Sequence, residues 1–176
     1  MKKWKKLSEE ILHKNPWCEY KHDRYRLPSG KEGDYYYMQT PGAVCLVPVL
    51  DDGRVVMVKQ WRYLFDRESV EFPAGGVKEN QSFDEAARAE LAEETGYSGN
   101  FHLVGSFVPT NGQVVETMKV FIINNLKEAE SRPDETEDLE IIIKNPEEID
   151  KMIEENEIWC GETIAAWTLA RKYLIK

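Results

Sequence analysis

Cysteine is scarce and unpatterned in this chain of 176 residues: Cys18, Cys45 and Cys160 lie far apart, with no C-x-x-C spacing. That excludes a clustered zinc site and a disulfide framework, and it predicts reduced thiols. Long apolar runs are missing too. The start Met1-Lys2-Lys3-Trp4-Lys5-Lys6 is basic, yet no stretch of signal-peptide or membrane-span length follows it. A cytoplasmic location with no membrane partner is the expectation. Positive charge is in deficit, with 23 Lys and Arg against 32 Asp and Glu, a net charge of -9. Such a surface repels a phosphate backbone, so no nucleic-acid partner is expected and phosphate chemistry would need metal cations as intermediaries. Internal repeats and low-complexity segments are also absent.

What remains is an ordinary composition for a folded chain, 41% hydrophobic and 31% charged. A chain of this length forms one domain, with a terminal extension possible, and buries roughly two thirds of its unfolded surface. Residues 7 to 13 read as a short helix ending before Asn15-Pro16, since Pro disfavours helix in the residue before it. The Tyr-rich stretches 17 to 27 and 34 to 40, separated by Pro28-Ser29-Gly30, predict two antiparallel strands and a turn. Residues 43 to 50 and 55 to 61 bracket Asp51-Asp52-Gly53, where Asp-Gly supplies the positive φ of a hairpin. Further apolar stretches at 101 to 108, 117 to 123 and 139 to 143 read as strands, and 146 to 155 and 162 to 174 as helices. The acidic run Asp134-Glu135-Thr136-Glu137-Asp138 falls between strands and reads as a loop.

Chemistry concentrates in residues 71 to 97, laid out as strand, loop, helix and turn. Ser82 with Glu85 three residues on makes a capping box, and Gly96 suits the positive-φ position past a helix end, so a helix is predicted over 83 to 95. On it Phe83, Ala87 and Leu91 share a core-facing stripe, whereas Glu90, Glu93 and Glu94 cluster at i, i+3 and i+4 on another. Like charges at that spacing destabilise a bare helix, so the cluster is either a solvated face or the seat of a cation. Gly75-Gly76 immediately before the helix lets backbone approach a phosphate, and the carboxylates suit a hard divalent metal. The combination describes a pyrophosphate-Mg²⁺ site.

This segment resembles the box of the Nudix hydrolase family, G-x5-E-x7-R-E-U-x-E-E-x-G-U, with Gly75, Glu90, Leu91, Glu93, Glu94, Gly96 and Tyr97 in register. Two positions depart: Gln81 stands where the first Glu is usual and Ala89 where the Arg is, with Arg88 one residue early and about 100° around the helix. The resemblance implies Glu90 and Glu94 as principal metal ligands with Glu93 assisting, and Glu94 as catalytically essential. Gln60-Trp61-Arg62 and Glu71-Phe72-Pro73-Ala74-Gly75 are similar to elements of the ADP-ribose pyrophosphatase branch. By that likeness the Ala74 carbonyl ligates metal, while Arg62 and Glu71, with Gly75 and Gly76, hold the diphosphate. A surface salt bridge is the plainer reading of Arg62 and Glu71. The same likeness makes Glu135 and Glu137 candidates for a catalytic base, against their being a solvated loop. Where that branch has Ser-Pro-Gly, this chain has Thr110-Asn111-Gly112.

The resemblance covers roughly residues 17 to 172. It implies an α/β fold, the Nudix α/β/α sandwich with a mixed β-sheet, divided into an N-terminal extension of antiparallel strands over 1–40 and a Nudix domain over 41–176. It also implies Mg²⁺, or Mn²⁺, as cofactor, a nucleoside diphosphate sugar such as ADP-ribose as substrate, and a homodimer formed through the N-terminal strands. Attack by metal-activated water on one phosphorus would yield a nucleoside monophosphate and a sugar phosphate. The Gln81 and Ala89 departures motivate an alternative, a non-catalytic sensor of nucleotide sugars. A Ca²⁺-binding structural protein is excluded, because no D-x-[DN]-x-[DN]-G loop occurs.

Overall fold

The computed structural model describes residues 2–129 and 138–174. The chain opens with β1 (Lys5–Lys14), β2 (Glu19–Arg26) and β3 (Glu32–Gln39), an antiparallel meander. Residues 7 to 13 are therefore strand, not the helix expected from local pattern. The difference lies in cross-strand partners: Lys21 bonds Glu9, Lys6 pairs with Asp23 and Lys14 with Glu19 across the β1–β2 ladder. Pairing of this kind overrides a weak local helix preference. The Pro28-Ser29-Gly30 turn forms as expected, with Gly30 at φ 91.

β4 (Ala43–Pro48) and β5 (Val55–Arg62) follow, joined by the Asp-Gly turn with Gly53 at φ 89. The turn is there, but among the described residues it closes no hairpin ladder: a single bridge, Val49 to Val55, links the two arms. Both strands are buried along most of their length, so each needs partners on a sheet of its own. They part after one bridge. β5 pairs with β6 (Arg67–Glu71) and β11 (Leu139–Lys144). β4 pairs antiparallel with β7 (Ala74–Gly76) and parallel with β10 (Met118–Glu128), which pairs antiparallel with β8 (Tyr97–Phe107). The sheet β7-β4-β10-β8 is thus mixed.

Helices cover both of its faces. Alternation along β4 and β10 sends Val44, Leu46, Phe121 and Ile123 to one side, where they meet Ala86, Ala87 and Leu91 of α1 (Phe83–Thr95). Ala43, Cys45, Val47, Val120 and Ile122 point the other way, against Ala166, Trp167 and Ala170 of α3 (Gly161–Ala170). Val55, Met57 and Phe72 extend this second core, as does Ile149 of α2 (Pro146–Glu154). The result is the expected α/β/α sandwich. The meander is tied to it by β9 (Val114–Val115), which runs parallel to the end of β3, and by the Tyr35 hydroxyl, which donates to the Gly112 carbonyl at 2.8 Å. The turn Thr110-Asn111-Gly112 is therefore clamped against the N-terminal strands.

Candidate active site

The capping box at Ser82 and Glu85 starts α1, and Gly96 at φ 68 ends it, both where the residues predict. The helix lies under β7, which is held at the edge of the mixed sheet by pairing of Ala74 with Cys45 and Gly75 with Val44. Glu90 reaches up to that edge. A β-carbon on Gly75 would overlap the carboxyl carbon and both oxygens of Glu90, so only glycine lets this carboxyl lie against the backbone. One turn further on, Glu94 is 8% exposed and accepts a hydrogen bond from the Ala74 amide at 3.3 Å. Glu90, Glu94 and Ala74 therefore meet along one short strip. Glu93 is half-buried on the same helix, and Gly76 is exposed with open space around it.

Next along the chain edge is a half-buried ion pair. Glu71, 3% exposed, receives Nε of Arg62 on one oxygen at 2.8 Å and Nη2 on the other. Burial pushes the Glu71 carboxyl up, but Arg62 first, and Ser69 and Cys160 with it, together hold the group below the usual carboxylate range. Glu71 is buried in this pair while the Arg62 side chain is 43% exposed. Two bonds to Glu71 leave Nη1 of the Arg62 fork for another acceptor.

The head of α3 closes the region from the other side. Thr163 Oγ1 accepts the Phe72 amide at 3.2 Å, which pins the first turn of α3 beside Glu71. Glu162 in that turn is half-buried, and its carboxyl is pushed up by burial and by the carboxylates of Glu116 and Glu71, against Arg62. Glu116 itself accepts from the Thr40 hydroxyl at 2.7 Å, at the margin of a cavity of about 530 Å³ that Pro41, Phe83, Val108 and Asn111 also line. Sequence reasoning missed both residues. Glu162 sits in a helical stretch and Glu116 between two strands, and no spacing relates them.

The departures from the family box find other uses. Gln81 Oε1 accepts from the Lys78 amide at 2.9 Å, closing the loop ahead of α1, and Arg88 lies over the Phe101 ring at 4.6 Å. Glu135 and Glu137 fall outside the described residues.

Residues 38–165 match the NUDIX domain model. The chain belongs to the Nudix hydrolase family. Residues 4–38, ahead of the Nudix match, correspond to the nucleoside diphosphate sugar hydrolase N-terminal domain. An ADP-ribose pyrophosphatase of Bacillus subtilis is 33% identical over 143 residues, 80% of this chain and 77% of that protein. An ADP-sugar pyrophosphatase of Mus musculus is 33% identical over 103 residues, 52% of this chain and 47% of that protein. The Nudix fold is matched by the crystal structure of an ADP compounds hydrolase, with a TM-score of 0.87 over 99% of this chain and 95% of that one at 20% identity.

A divalent cation fits the donor set at this Nudix box. Carboxylate oxygens of Glu90 and Glu94 beside a backbone strip are hard ligands of the kind Mg²⁺ takes. Among the described residues no three His, Cys, Asp or Glu side chains form a closed cage. Mg²⁺ does not need one, since it is bound through one or two carboxylates and keeps waters and substrate phosphates for the rest.

Proposed function

We propose that this Nudix hydrolase splits the diphosphate of a nucleoside diphosphate sugar, ADP-ribose foremost, into a nucleoside monophosphate and a sugar phosphate. The observation that carries the reading is the convergence of Glu90 on Gly75 and of Glu94 on the Ala74 amide. The names of the Bacillus subtilis and Mus musculus relatives, and the residue 4–38 match, support the substrate class.

In this reading Glu90, Glu94 and the Ala74 carbonyl would hold Mg²⁺, or Mn²⁺, with Glu93 assisting. A cation bound there would supply a water of lowered pKa and neutralise phosphate charge. Gly75 and Gly76 keep side chains out of the way of the diphosphate, and the free edge of the Arg62 fork, aimed by Glu71, orients its oxygens. Glu135 would take the proton from water as general base, with Glu137, in the same acidic run of the sequence, as the second candidate. The sensor alternative draws less support, because Gln81 and Arg88 are engaged elsewhere and leave Glu90 and Glu94 in place.

Residues 1–40 serve as an extension to a catalytic unit spanning 41–176, and the enzyme works as a homodimer through the exposed meander face that carries Tyr20, Tyr36 and Met38. Among the described residues no helix is long and apolar enough to cross a membrane. Three free thiols suit the reducing cytoplasm, where we place the enzyme. The test is a Mg²⁺ assay across a panel of nucleotide sugars with both products identified. Release of AMP and ribose 5-phosphate from ADP-ribose is expected; tight binding without turnover of any member would favour the sensor.

A further inference from the structure

β6 ends at Glu71 and β7 begins at Ala74, and the two strands belong to different sheets. Phe72 and Pro73 carry the chain across. This short crossing joins the Arg62–Glu71 pair to the strip of Ala74, Glu90 and Glu94. Neither ladder covers it: the β5–β6 pairing ends with Val58 and Glu71, and the β4–β7 pairing starts with Cys45 and Ala74. The backbone groups of such a segment are held by whatever else bonds them.

Three bonds hold this one. The Pro73 carbonyl accepts from the Leu46 amide at 2.8 Å, and the Ala74 amide donates to Glu94 at 3.3 Å. The first amide of the crossing, that of Phe72, donates to Thr163 Oγ1 at 3.2 Å. Phe72 and Thr163 are each 1% exposed, so bulk water does not stand in for the hydroxyl. One turn further along α3, the Trp167 ring packs on Phe72 with centroids 5.8 Å apart, and its Nε1 donates to Asp150 at 2.6 Å. Ring packing is non-directional and leaves the peptide between Glu71 and Phe72 free to turn, whereas a hydrogen bond to its N–H fixes its plane. The locked φ of Pro73 passes that orientation on to Ala74.

Resting on the diphosphate-hydrolase reading, we infer that Thr163 is a positioning residue. By accepting the Phe72 amide it aligns the Ala74 carbonyl with Glu90 and Glu94, and holds the Arg62–Glu71 pair in register with them. It acts through the crossing and touches neither substrate nor cation.

The experiment compares the full chain with Thr163→Val, which keeps the branched shape and loses the hydroxyl, and with Thr163→Ser, which keeps the hydroxyl. Asp150→Ala, which releases Trp167 without touching the Phe72 amide, controls for stability. Mn²⁺ binding is followed by electron paramagnetic resonance without substrate, and kcat and KM for ADP-ribose are measured in Mg²⁺, all below the melting temperatures. Thr163→Val is expected to weaken Mn²⁺ binding about 3- to 10-fold at unchanged stoichiometry, and to lower kcat about 10- to 100-fold with KM within about 3-fold. Thr163→Ser and Asp150→Ala should both stay within about 3-fold of wild type in Mn²⁺ Kd and kcat, although Asp150→Ala melts earlier. An unchanged Mn²⁺ Kd or kcat in Thr163→Val, no rescue by Ser, or an equal loss in Asp150→Ala overturns the inference. If Thr163→Val fails to fold, Thr163→Cys, whose sulfur is a weak acceptor, is read in its place; smaller losses of the same kind are expected, and none would overturn it. If wild type binds Mn²⁺ and hydrolyses no nucleotide sugar, the functional reading fails separately and the Mn²⁺ Kd values alone decide the role of Thr163. Wild type that binds no Mn²⁺ overturns that role.

Discussion

The carboxyl of Glu90 lies against Gly75 so closely that a β-carbon would overlap it. Fifteen positions apart in sequence, the two residues are brought together because β7 pairs with β4 above α1. Gly75→Ala should therefore displace Glu90 while the helix and sheet persist. A loss of at least about tenfold in kcat/KM is expected with an unchanged circular dichroism spectrum. Full activity would mean that the position of Glu90 against the backbone does not matter.

Glu94 accepts from the Ala74 amide and lies nearly buried. Glu94→Gln keeps its shape and removes its charge, so kcat should drop by about a hundredfold or more with the fold intact. Near-normal turnover in saturating Mg²⁺ would remove Glu94 from the catalytic machinery.

Gln81→Glu and Ala89→Arg restore the family pattern. Because Gln81 closes a loop through the Lys78 amide and neither residue is proposed as a ligand, the double variant should change kcat/KM by less than about tenfold. A gain of several orders of magnitude would instead identify the native protein as a sensor.

Glu71 is buried against Arg62, with Cys160 and Glu162 nearby. Its folded carboxyl titrates below its ordinary value of 4.5, so the stabilisation it brings is complete above that pH and is lost as pH falls through the lower folded value. Thermal melts from pH 3 to pH 7 should show a shallower acid limb for Glu71→Gln than for wild type. Arg62→Ala at pH 7 should cost about 1–3 kcal/mol, less than a fully buried pair because the Arg62 side chain is 43% exposed. Parallel acid limbs would show that Glu71 does not couple folding to pH.

Tyr20 and Met38 face each other across β2 and β3, next to the paired His22 and Tyr36, and Tyr36 is 53% exposed. On the proposed homodimer, wild type is expected to sediment as a dimer and a double Tyr36→Glu, Met38→Glu variant as a monomer, because charge at the centre of an apolar interface is strongly disfavoured. Wild type that sediments as a monomer across the micromolar range would refute the dimer directly.

Sequence by itself determined the features whose causes span a few residues. The capping box at Ser82 and Glu85, the Gly96 stop, the turn at Pro28-Ser29-Gly30 and the positive φ of Gly53 arise from contacts within a turn, and the structure has them where the residues predict. That Glu90 and Glu94 lie on one side of α1 was legible for the same reason, since a separation of four is about one helical turn. Tertiary structure alone decided what depends on distant partners. Residues 7 to 13 became strand because β2 supplies a ladder of opposite charges, and β4 parted from β5 because each had a different sheet to complete. The bonds of Thr40 with Glu116 and of Phe72 with Thr163, 76 and 91 positions apart, are of this kind. A local pattern carries no record of such pairings, because their stability comes from surfaces that exist only once the sheet and both helix layers are assembled.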